Sequence, residues 1–91
     1  MRIFKLKHPI QLANNHQITE LNFRDYATAG DYLAFDIGGG HRQTIALIAR
    51  LTGNDESLIE RLHVNDYQEA DRIASALING KELELKKLPP A

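Results

Sequence analysis

The stretch QTIALIARLTGNDESLIERLHVNDY, residues 43–67, decides how this chain folds. It opens with Ile45, Ala46, Leu47, Ile48, Ala49 and Leu51, interrupted almost only by Thr44 and Arg50. A helix apolar on all sides is buried on more than one face. Gly53 supplies the left-handed residue that ends such a helix. Asn54 offers a cap for the next one, Asp55 and Glu56 suit its positive N-terminal end, and Leu58, Ile59 and Leu62 form its apolar stripe. Three readings compete for the segment. It is the central helix of a core, a surface that meets another chain, or a helix-turn-helix in which residues 54–63 read DNA.

Upstream, the apolar residues of the first 24 positions follow a two-residue period around Asn14-Asn15, a pair that tolerates a tight left-handed turn. A hairpin over residues 3–24 follows. With those two asparagines as the loop, Leu12 faces Gln17, Ile10 faces Thr19, His8 faces Leu21 and Leu6 faces Phe23. Phe4, Leu6, Ile10, Leu12, Leu21 and Phe23 then share one face, and only Ile18 breaks the sorting. Pro9 has no amide hydrogen and belongs at an edge or a bulge. A lone hairpin is marginal in water, so helices must cover its apolar face.

Thr28 and Asp31 form a capping arrangement for a first helix, residues 29–37, which stops at Gly38-Gly39-Gly40. The second helix is expected at 42–52 and the third at 55–62. Asn65 with Gln68 reads as a capping box for a fourth, at 66–79, with Tyr67, Ala70, Ile73, Ala74, Leu77 and Ile78 on one side and Asn79-Gly80 as its end. Residues 81–91, KELELKKLPPA, alternate at Leu83 and Leu85 before two prolines and form either an added strand or a mobile tail. The expected class is α+β: one domain over residues 1–80 and a C-terminal tail.

Composition narrows the function. A chain of 91 residues builds one small core and no deep cleft. Its net charge of -1, with both signs interleaved, makes no field for phosphates or an anionic membrane, so neither nucleic acid nor membrane is an expected partner. With no cysteine there is no disulfide framework and no thiolate chemistry. No apolar run is long enough to span a bilayer, and the N-terminus lacks a signal core, which predicts a soluble cytoplasmic protein.

No residue set supports catalysis or a cofactor. The glycines before His41-Arg42 lack the Lys-Ser/Thr of a phosphate loop and read as a linker. His8, His16, His41 and His63 lie at spacings unsuited to zinc, so no metal is expected. Asp25, Asp31 and Asp36 read as a turn residue, a first-turn helix charge and a last-turn residue. A recognition helix opening on Asp55 and Glu56 would turn like charge toward phosphates, which leaves a helix-turn-helix regulator as the alternative.

Taken in order, LKHPI, ITELNFR, AGDYL, IARLTG, ESLIERL and the Asn65-Asp66 pair resemble the tail assembly chaperones of contractile-tailed phages and prophages, across residues 6–77. The sharpest part is LTG followed by an acidic ES-x-I and an Asp-started last helix. Asp25-Tyr26-Ala27 departs from the pattern, which carries a proline near the end of the second strand. The resemblance implies a non-enzymatic morphogenesis factor of the bacterial host cytoplasm, absent from the mature virion. It implies binding of the tape measure protein and help in recruiting tail tube protein, with self-association left open. The expected partner-binding residues are Leu47 and Leu51 on the apolar helix and Leu83, Leu85 and Leu88 on the tail.

Overall fold

The computed structural model describes residues 1–35 and 39–80. Strand β1 (Arg2–Gln11) pairs antiparallel with β2 (Gln17–Phe23), and helices α1 (Ala29–Phe35), α2 (Gly40–Thr52), α3 (Glu56–Ile59) and α4 (Val64–Ile78) follow. The α+β order of a hairpin and four helices is the one expected. The reach of the first helix to residue 37 and the tail at 81–91 lie outside the described residues.

The turn chemistry is as read, but the register differs. Asn14 and Asn15 both adopt positive φ, +62° and +63°, and His16 N donates to Ala13 O. However, Leu12 N donates to His16 O, which closes a three-residue loop and puts Gln11 opposite Gln17. A second offset lies between Lys5 and Ile10: Phe4 pairs with Leu21, yet Ile10 pairs with Ile18, so β1 carries a bulge that contains Pro9. A bulge re-aims side chains. It brings Ile18 inward as the partner of buried Ile10, which is why that residue broke the regular alternation.

α2 is the central helix. Ala46, Leu47, Ile48, Ala49 and Leu51 are all buried, and all but Ala46 share one core cluster with Leu6, Leu21 and Phe23 of the hairpin and Ile73, Ala74 and Leu77 of α4. Gly53 ends it at φ +72°, as the glycine predicts. The expected third helix shrinks to a single turn. Its N-cap is Asp55, because Asn54 turns back to donate from Nδ2 to Thr52 Oγ1 at 2.9 Å.

α4 starts two residues earlier than its Asn65-Gln68 pattern suggests. His63 is the N-cap, and its Nδ1 accepts from Asn65 N at 3.1 Å. This start carries Asp66 into the first turn, where its carboxylate is buried and accepts from Lys7 N at 3.0 Å and His8 N at 2.9 Å. Those are the amides that the β1 bulge takes out of the ladder. The expected apolar face of α4 is in place, and Gly80 at φ +66° donates to Leu77 O at its end.

Candidate functional site

An open groove of about 490 Å³ lies between α1, α2 and the start of α3. Ala46 and Ala49 form its floor, Leu33 one wall, and Arg50, Asp55 and Glu56 its charged rim. Small side chains on one face of α2 make the depression, since the larger Leu47, Ile48 and Leu51 point into the core. Leu33 is 69% exposed and Tyr32 beside it 50%. Of the two, Leu33 lines the groove, while the Tyr32 hydroxyl donates to Ile78 O of α4 at 3.0 Å. By contrast Ile3, Tyr26 and Val64 are exposed singly.

The groove's geometry depends on a buried ion cluster. The Asp31 side chain has no exposed surface. Arg24 grips it with two donors, Nη2 to Oδ1 at 2.8 Å and Nη1 to Oδ2 at 3.2 Å, while Arg50 Nε reaches Oδ1 at 2.6 Å and Thr28 N reaches Oδ2 at 2.7 Å. Burial pushes the Asp31 carboxyl up, but the Arg24 fork, the Thr28 amide and Arg50 outweigh it and hold the group well below the usual carboxylate range. The Arg24 guanidinium is raised in turn by its bond to Asp31. A side chain on Gly30 would meet Arg50 Nη2 at 3.1 Å, so the glycine leaves the space through which Arg50 reaches α1.

A second, smaller depression of about 190 Å³ lies among His41, Ile45, Ile59, Leu62 and Tyr67. His41 Nδ1 and Tyr67 Oη are 2.7 Å apart at its edge. Burial raises the Tyr67 phenol, and a hydrogen bond with Thr44 opposes it. His8 and His63 stack with ring centroids 3.8 Å apart, joining the bulge to the α4 cap. Among the described residues no group of three or more His, Cys, Asp or Glu gathers to hold a metal.

The structure treats the expected contact residues unequally. Leu47 and Leu51 are each 1% exposed and form core; Leu83, Leu85 and Leu88 lie outside the described residues. Asp31, read as an ordinary first-turn charge, is the hub that ties β2, α1 and α2. Tyr32 and Leu33 were read only as apolar positions of a short helix. A clue lies in the same cluster: with Asp31 facing inward, Leu33 two positions on falls near the opposite side of α1 and Tyr32 to one flank.

Helix α3, a single turn about 6 Å long, is too short to serve as a recognition helix in a major groove. No helix among the described residues is long and apolar enough to cross a membrane. No curated protein and no solved structure matches the chain significantly. A family model described as phage tail assembly chaperone proteins, E, or 41 or 14, matches residues 3–79, from the first strand to the end of α4. With the match covering the hairpin and all four helices, this chain belongs to the phage tail assembly chaperone family.

Proposed function

We propose that this chain acts without catalysis, by binding the tape measure protein in the host cytoplasm during tail assembly and keeping its apolar helical segments from associating. The observation that carries this reading is the exposed Tyr32-Leu33 pair beside the α1–α2–α3 groove, in a chain of the tail assembly chaperone family. An apolar helix seats in such a groove by its own side chains and needs no reactive group. Leu47 and Leu51 support the patch from beneath by holding α2 in place, and Leu83, Leu85 and Leu88 add contacts from the tail. Tail tube protein is a second proposed partner, and release before the virion is complete follows from the same role.

The test is co-expression with the tape measure protein encoded beside this gene. The two should co-purify and the client's soluble fraction should rise. Leu33→Asp should remove both effects while the circular dichroism of the chaperone stays unchanged. An unchanged client, with no co-purification by the wild-type chain, sinks the proposal.

A further inference from the structure

We propose that the α1–α2–α3 groove selects its occupant by charge: it takes an amphipathic helix of a partner protein, whose row of large apolar side chains is flanked by lysines or arginines along the side that meets Asp55 and Glu56. The inference rests on the client-binding reading above and names the chemistry of the client segment.

Shape supplies the apolar half of the match. Ala46 and Ala49 stand three positions apart on one face of α2, and Leu33 lies beside them at 69% exposure. Methyl groups alone leave room for leucines or phenylalanines of an incoming helix, at the i, i+3, i+4 and i+7 spacing with which such helices seat in grooves. Those contacts supply the burial.

Charge supplies the other half. Asp55 is the N-cap of α3, yet its side chain makes no capping bond. Asp55 and Glu56 are both exposed on the rim, and neither forms an ion pair among the described residues. The nearest basic residues in sequence are engaged elsewhere: Arg50 Nε donates to Asp31, and Arg61 Nη2 donates to Gln11 O of β1. Because Arg24 and Arg50 share the single Asp31 carboxylate, the rim is cationic at Arg50 and anionic at α3. A helix with basic residues along one flank complements that division. Opposite charges at an exposed rim add specificity more than affinity.

Two synthetic peptides of about 20 residues, long enough to form helix in water, test this. Both carry the same leucine row; one has lysines along one flank and the other has glutamates at the same positions. Titrated into the intact isotope-labelled chain at low salt, the lysine peptide should bind about tenfold tighter, the size expected when two weak rim pairs turn from attraction to repulsion. It should shift the amides of Leu33, Ala46 and Glu56 and leave those of Asn14 and Asn15 in place. The gap should close at about 0.5 M salt, where exposed charges are screened. Asp55→Asn with Glu56→Gln keeps a capping residue and should bind the two peptides alike, with an unchanged thermal transition. Equal binding of both peptides by the wild-type chain overturns the proposal, as does a preference that survives in the double variant. Peptide shifts confined to the depression at His41 and Tyr67 also overturn it. Groove signals that move with protein concentration before any peptide is added do the same, since the occupant is then a second copy. A chain that co-purifies with the tape measure protein but shows no preference between the peptides loses this inference and keeps the reading beneath it; the converse result keeps the groove's selectivity and removes the tape measure protein as client.

Discussion

Asp31 is a carboxylate without exposed surface, held by two guanidinium groups that both reach water, with Arg24 31% and Arg50 50% exposed. Removing one member of a buried pair leaves the others uncompensated, at about 3–5 kcal/mol. Asp31→Ala should cost near the lower end, about 3 kcal/mol, because the freed arginines can rehydrate; urea unfolding at neutral pH measures it. The cluster also sets an acid limb. Its folded carboxyl holds a proton less tightly than the unfolded chain's, so its stabilisation is complete above the unfolded value of about 4 and is lost as pH falls toward the lower folded value. Wild type should therefore lose stability faster than Asp31→Asn as the pH is lowered from 5 to about 2.5. Parallel loss in the two proteins would assign the acid limb to other carboxylates.

At the scale of elements, two junctions hold the hairpin and helices in register. The first is the β1 bulge, whose Lys7 and His8 amides end on the Asp66 carboxylate. Asp66→Ala leaves both donors without that partner, and each lost bond to a charged acceptor is worth about 1.5–3 kcal/mol before water recovers part of it. A loss of about 2 kcal/mol is expected, with faster hydrogen exchange at Lys7 and His8 before the rest of β1. The second is the stop of α2 at Gly53. A Cβ added there would meet nothing within 4 Å, so Gly53→Ala tests backbone strain alone at φ +72°. It should cost about 1 kcal/mol, seen as a lower urea midpoint with an unchanged slope.

For the whole molecule, the central place of α2 separates folding from binding. Leu47 is 1% exposed inside the core, whereas Leu33 is 69% exposed at the groove. A charge buried without a partner unfolds a domain this size. Leu47→Asp should therefore abolish the cooperative thermal transition, while Leu33→Asp should keep it and lose only the client. A folded Leu47→Asp protein would mean that α2 is far less enclosed than the structure shows. The groove is available because one face of α2 carries only the small, buried side chains of Ala46 and Ala49, while Leu47, Ile48 and Leu51 fill the core.

The amino-acid sequence determined the elements whose causes are local. The period of two before Arg24, the left-handed Asn14-Asn15 turn, the Gly53 and Gly80 stops and the apolar face of α4 each follow from neighbouring residues, and so did the α+β order and the family resemblance. Tertiary structure alone decided what depends on distant partners. The bulge at Pro9 is held by Asp66, 57 positions away along the chain. The early start of α4 is the one that delivers that carboxylate to Lys7 and His8. Asp31 became a hub because Arg24, just past the end of β2, and Arg50 of α2 both reach it, and Leu33 lies near the side of α1 opposite that carboxylate. A local pattern records what each residue prefers; it carries no record of which distant donor will satisfy a buried carboxylate.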